Sequence, residues 1–456
     1  MATIPNTQKF HTVKGSVDTV ERGSAQFSMD RDIYTMQDIL DTVIHPGSGV
    51  AGASSIYVPG TGTATENGTA LIAGYADAVA KIAGAIASTT LILGPGDYTL
   101  PSSLVINHRV SVVSLTGQQD VVIDGFDVQV SSGANFTSTL IAGLKIISTY
   151  RFIVDTALAN ITVKNVLARG QYSFDSASAG GNLSGTFIDC TGGVNSFGSR
   201  PGSNASGTFI GCDARTASAL SNGKGFGSTG TASGYFKDCG SRTSSMNFGW
   251  QAEAISGYFI NCVSSNYSFG YSATNVTGQF NYCTAEQQSF GYDGDTVSGK
   301  FYHCIAGDSS FGSFVNTSNS GQYYGCISTG TNSFGSGSLE NSGQYHNCTS
   351  GSRSFGSNST GTQAQTTNAA YYNCIAEGSG NFGSHANPAG TPTIANSFYM
   401  GCKAYTDSFG KGSSSNQGTY GVVYNCRVEA NPYAPVAGSG KIRNSIDNSY
   451  NLINQG

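Results

Sequence analysis

Eleven cysteines pose the first chemical question in this chain, at Cys190, Cys212, Cys239, Cys262, Cys283, Cys304, Cys326, Cys348, Cys374, Cys402 and Cys426. Zinc sites use close pairs such as Cys-x-x-Cys with companion histidines, and no two of these cysteines are nearer than 21 residues. Thiols stacked in register on parallel strands are close enough for disulfides but wrongly oriented. The favoured reading is a core ladder of reduced cysteines acting as small buried hydrophobes, with metal binding or cross-coil disulfides as the alternatives. No metal and no cofactor is expected.

Polysaccharide hydrolysis needs two carboxylates flanking a bond, about 5 to 9.5 Å apart, and a lyase would want an acidic calcium cluster with an arginine base. The weak catalytic candidates are Glu286, Asp293, Asp295 and Asp308, which fall on neighbouring repeats beside Tyr292. Sparse surface carboxylates are ordinarily solvated, so no catalytic residue is assigned. His11, His45, His108, His303, His346 and His385 are scattered and form no triad or metal set; His303 and His346 read as turn or surface residues.

The elements that must position these residues are repeats. From about residue 185 to 426 a unit recurs whose first half is Gly-x-aromatic-x-x-Cys, as in Gly257-Tyr-Phe259-Ile-Asn-Cys262, and whose second half is (Ser/Asn/Gly)-Phe-Gly. Successive cysteines are separated by 22, 27, 23, 21, 21, 22, 22, 26, 28 and 24 residues, a basic period of 21 to 23 with insertions. Leucine-rich repeats share the period but need several leucines per unit, and helical repeats need longer units and helix formers. Three short strands per turn of a parallel β-helix fit, with like residues stacked about 4.8 Å apart. The phenylalanines of the Phe-Gly pairs, Phe197 to Phe409, then form a second internal ladder. Seven of the ten residues before them are serines, which either bond along the stack or occupy exposed turns.

In a straight strand the rung aromatic and the cysteine three residues on would face opposite sides. The residue before the cysteine is Asp, Asn or Gly in nine of eleven units, types that tolerate the left-handed αL conformation. A bend there turns both neighbours inward. Tyr282 and His303 are exceptions, for which strain or a different turn is expected. Two positions beyond the second phenylalanine stand Trp250, Tyr271 and Tyr292 on successive coils, where other coils carry Ser199, Ser228, Ser313, Ser336, Ser357, Ser384 or Lys411. The lysine places this position outside, so three exposed aromatics are expected to make a strip for glycan or partner contact.

The Gly-x-aromatic-x-Asn-Cys rung resembles the bend of right-handed parallel β-helices of the pectate-lyase type, and Asn67 to Gly125 resembles the first turns of such helices in phage tail spikes. Thr69 reads as the N-cap of an amphipathic helix through Leu71, Ile72, Tyr75, Val79, Ile82 and Ile86, closing the solenoid end. Short strands follow at Leu91–Tyr98, Leu104–Ile106, Val110–Val113, Val121–Gly125, Leu144–Ile147 and Ile161–Val166. Residues 1–60 concentrate charge, and Thr35 to Val43 reads as a capped helix with Met36, Ile39, Leu40 and Val43 on one face. That segment is similar to the virion-anchoring starts of tail and fibre proteins of marine tailed phages.

The expected fold class is therefore all-β: a right-handed parallel β-helix over 91–430, after a short helical N-terminal attachment segment at 1–60 and a capping helix within 61–90, with a C-terminal cap at 431–456. Charged residues are 11% of the chain and the net charge is −5, which offers no handle on nucleic acid. The start lacks a signal-peptide pattern and no stretch is apolar enough to span a membrane. What the resemblance implies is a structural virion protein made in the host cytoplasm: a tail fibre, spike or capsid-decorating appendage. It would be a homotrimer docked on other virion proteins through its N-terminal segment, touching host-surface glycan. A tail-spike depolymerase is the alternative. A bacterial surface adhesin is disfavoured by the missing export signal.

Overall fold

The computed structural model describes the strands Gln26–Met29, Asp32–Thr35 and Ser54–Val58 and, with gaps, residues 89–455; the longest unbroken stretch is 248–356. The described part is all-β, with parallel strands stacked as a β-solenoid of about 11 turns and no helix. The helix expected from Thr69 to Ile86 lies outside the described residues, as do 36–43. Thr35, the expected cap of the helix over 36–43, ends a strand that pairs antiparallel with Gln26–Met29, an extended conformation that a helix N-cap also adopts.

Two compact units divide the chain: residues 1–170 with 185–191, and residues 171–184 with 192–456. In the first unit, Thr89–Leu93, Val110–Ser114, Thr139–Ala142, Ile161–Lys164 and Thr186–Ile188 stack in parallel register. Gly96–Thr99, Val121–Asp124, Leu144–Ile146 and Leu167–Ala168 form a second face. A third holds Leu104–Ile106, Val128–Val130 and Phe152–Val154. Its core is aliphatic, with Val112, Ile141 and Val163 fully buried one above another.

In the second unit each coil also has three short strands, for example Ala254–Ile255, Tyr258–Ile260 and Val263–Ser264. The rung aromatics pair directly across coils in the order Phe236, Phe259, Phe280, Phe301, Tyr323, Tyr345, Tyr371 and Tyr399. Their rings stack at 4.7 to 5.1 Å. A parallel column holds Phe174, Phe197, Phe226, Phe248, Phe269, Phe290, Phe311, Phe334, Phe355 and Phe382, also buried, at 4.7 to 5.0 Å. The two columns meet edge to face, as at Phe259 and Phe269, 6.0 Å and 87° apart. Face-to-face stacking within a column is imposed by the strand spacing, and the perpendicular second column supplies the favourable edge-to-face geometry.

All eleven residues before the cysteines have positive φ, between 51° and 66°. The rung aromatic two residues before the bend and the cysteine just after it both point inward and share the core, while the residue between the aromatic and the bend faces out. Tyr282 (φ 54°) and His303 (φ 52°) make this same turn. In-register pairing on both sides dictates it, so the different-turn alternative falls and the cost of their deviation is αL strain of roughly 1–2 kcal/mol each. Close approach at another corner requires glycine: a Cβ on Gly278 would lie 2.7 Å from the Gly257 carbonyl oxygen in the preceding coil.

The core changes chemistry at one coil boundary. Through Phe301 the buried partner on the preceding short strand is apolar, Ile255, Val276 or Val297; from Tyr323 it becomes Asn319 and then Asn341. Tyr323 Oη donates to Asn319 Oδ1 at 2.8 Å and Tyr345 Oη to Asn341 Oδ1 at 2.8 Å. Asn319 Nδ2 donates to the Gly312 carbonyl at 3.3 Å. A phenol fits this dry column because an amide arrives with it. Replacing Asn319 by Val should therefore cost about 1–3 kcal/mol. Adding Tyr323→Phe, which restores the Phe/Val pairing of the preceding coil, should recover part of that loss in a denaturant double-mutant cycle. Additive costs would show that the two side chains do not act as a pair.

Candidate functional site

The cysteine side chains are all buried and free. In the second unit, Cys262, Cys304, Cys326, Cys348, Cys374 and Cys402 each donate to the carbonyl of a rung aromatic in an earlier coil at 3.4 to 3.5 Å. Burial pushes the thiols of Cys239, Cys262, Cys304, Cys348, Cys402 and Cys426 well above the ordinary range; at Cys283, Cys326 and Cys374 burial acts the same way, but hydrogen bonds from the neighbouring cysteines outweigh it and lower the thiol. At the six raised positions this suppresses the thiolate needed for metal binding or nucleophilic attack.

The serines before the second phenylalanine are interior. The Ser268, Ser289, Ser310 and Ser333 amides each donate to the serine hydroxyl of the next coil at 3.2 to 3.3 Å. The phenylalanine that follows is itself αL, at φ 33° to 57° from Phe197 to Phe382. The residue types do not predict this bend, because bulky residues rarely adopt αL. Its only sequence signal is the glycine that follows, which by itself suggests a turn confined to the glycine.

That extra bend corrects the outside placement of the next position. Ser199, Ser313 and Ser336 are buried there, and the Ser313 hydroxyl donates to the Ser336 carbonyl at 3.0 Å. Trp250, Tyr271 and Tyr292 are half-buried rather than fully exposed, since large rings cannot fold back into that space. Ser228, Ser357, Ser384 and Lys411 lie outside the described residues. The Tyr271 and Tyr292 rings stack at 5.7 Å and 17°; Tyr267 meets Tyr271 at 4.9 Å and Phe314 meets Tyr292 at 5.6 Å, both edgewise. Burial pushes the Tyr292 phenol above its ordinary value. Rings stacked on one another offer edges and hydroxyls to a partner, so a sugar ring cannot lie flat on both tyrosines.

Glu286, Asp293, Asp295 and Asp308 are exposed. Two have structural occupations: Asp293 accepts from the Ser272 hydroxyl at 3.1 Å, and Asp308 accepts from the Thr331 amide. Glu286 and Asp308 lie three and four residues after Cys283 and Cys304 on neighbouring coils, whereas Asp293 and Asp295 lie beyond Phe290 in the same coil as Glu286. Among the described residues no group of three or more His, Cys, Asp or Glu is placed to hold a metal ion.

One outer feature has no counterpart in the repeat pattern. Tyr302, Tyr324, His346 and Tyr372 occupy one outward position on four successive coils, with ring centroids 5.1, 4.8 and 4.6 Å apart and planes within 10°. Desolvation between the two tyrosine faces lowers the His346 pKa. His303 is exposed and stacks on Tyr282 at 5.2 Å. His11, His45, His108 and His385 lie outside the described residues.

The chain matches no protein-family model, no curated protein and no solved structure.

Proposed function

We propose that this chain is a non-enzymatic structural virion protein of a tailed phage, a tail fibre, spike or capsid-decorating appendage. Its coils wind right-handedly, the hand favoured for parallel crossovers. Residues 1–60 attach it to other virion proteins, and three copies assemble. The observation that carries the reading is how the repeats use their residues. Aromatic, thiol and serine columns fill the interior of coil after coil, the arrangement of a stiff spacer, while Asp293 and Asp308 are engaged in hydrogen bonds between neighbouring coils.

Host contact is assigned to the Trp250, Tyr271 and Tyr292 row, acting through ring edges and phenolic hydroxyls on surface glycan. The test uses phage particles carrying the chain. Removal of residues 1–60 should abolish incorporation. Alanine at all three aromatics should leave incorporation intact and weaken adsorption, by on the order of 1 kcal/mol per contact, while Glu286→Gln or Asp308→Asn changes neither. Normal incorporation of the truncated chain would refute the attachment assignment. Release of oligosaccharides from host polysaccharide, lost in one of the carboxylate variants, would replace this reading with a depolymerase.

A further inference from the structure

A second outward row runs beside the Tyr302–Tyr372 stack. Ile305, Ile327, Thr349 and Ile375 lie in register on the next face, and the three isoleucines are 41%, 40% and 37% exposed. Between the rows the bend presents His303, Gly325, Asn347 and Asn373. None of these twelve positions is Asp, Glu, Lys or Arg. Charge enters the isoleucine row at Asp213, four coils before Ile305, and after Ile375 at Lys403 and Arg427, where Glu429 lies 2.8 and 3.8 Å from the two cations.

We infer that this corner is the surface along which copies of the chain pack side by side; the inference rests on the assembly part of the proposed function and names its interface. The occupant follows from period, charge and area. Side chains rising about 4.8 Å per coil interdigitate over many coils only with an object of the same rise, and a second copy is such an object. A strip free of net charge meets its own kind without like-charge repulsion. A standard interface needs about 800 Å² per partner. A corner about 15 Å wide reaches that only over about ten coils at about 4.8 Å each, and the tyrosine-row face of the second unit stacks ten strands from Thr208–Ile210 through Val422–Tyr424. The contact therefore runs lengthwise, with the Tyr/Ile strip as its apolar centre and the charged positions at its rim.

The test measures the mass of the full chain by sedimentation velocity and light scattering across nanomolar to micromolar concentrations. Wild type should sediment at a multiple of 47.0 kDa. The double variant Ile305→Lys/Ile327→Lys should sediment as the monomer with unchanged circular dichroism and melting, because Lys403 already occupies the same row. Ile305→Thr/Ile327→Thr, which copies the residue that Thr349 already places in this row, should weaken association without adding charge. A double lysine variant that stays assembled overturns this surface and leaves the assembly reading standing. Wild type that is monomeric at every concentration overturns both.

Discussion

Raising the pH from about 8 to about 11 should unfold the cysteine-lined coils in one steep transition. Burial holds six thiols, Cys239, Cys262, Cys304, Cys348, Cys402 and Cys426, well above their ordinary 9.0, and holds the phenols of Tyr323, Tyr345, Tyr371 and Tyr399 above their ordinary 10.0. In the unfolded chain the same groups ionise near their ordinary values. Above about pH 9 the unfolded state therefore binds fewer protons than the folded one, and stability, complete below that pH, falls as pH rises. Each group whose folded pKa stays above the pH contributes a loss of about 1.4 kcal/mol per pH unit beyond its unfolded pKa, so three such groups lose about 8 kcal/mol over two pH units. That is comparable with the entire net stability of an ordinary domain, about 5–15 kcal/mol.

Circular dichroism and a thiol reagent, followed together, check this result. Little thiol should react while the fold persists, and eleven equivalents should react once it is lost. Strands intact at about pH 11, or thiols reacting freely at neutral pH with the fold intact, would contradict the buried-ladder account. A shallow loss spread over several pH units would instead mean that coils open independently rather than as a unit.

The parts of this fold legible in the sequence are those where one residue type is forced by one backbone state. Aspartate, asparagine and glycine before the cysteine announce the αL bend, and the period announces stacking. Tyr282 and His303 show the limit of that logic: neighbouring coils impose the bend even where the residue resists it. The αL phenylalanines are illegible because the ring's partners, one coil above and below, matter more than its local preference. Knowledge of the Phe174–Phe382 column is needed before that strain makes sense.

The candidate site is less legible than the core. Lys411 suggests that the Trp250 position faces outward, but burial there depends on side-chain size: serine folds in and aromatics do not. The Tyr302–Tyr372 row leaves no signal because its position carries isoleucine, lysine or asparagine in earlier coils. Outer columns follow from register, which the spacing of cysteines reveals, but their composition obeys no repeat-wide rule. The Tyr323–Asn319 pairing, by contrast, is written in the sequence as two changes in one coil. It becomes interpretable only once the two positions are known to touch.

Phe290→Ala should be the most damaging single substitution in the Phe-Gly column, costing about 3–5 kcal/mol. Phe290 stacks on Phe269 at 4.8 Å and on Phe311 at 5.0 Å, and meets Phe280 and Phe301 edgewise at 5.8 and 6.0 Å. Its loss leaves a cavity that rigid coils on both sides cannot close. In a quasi-one-dimensional fold each coil is stabilised by its neighbours, so the lesion should also split unfolding, and guanidinium titration should show two transitions where wild type shows one. Phe290→Gly separates packing from backbone strain. It makes the same cavity but relieves the αL conformation at φ 52°, so it should be more stable than the alanine variant by roughly 1–2 kcal/mol. Phe382→Ala, at the described end of the column, removes a ring that stacks on Phe355 and should cost less. A loss below about 1 kcal/mol for Phe290→Ala would show that the coils hold their rise through backbone hydrogen bonds alone, with the aromatic column only filling the space between them.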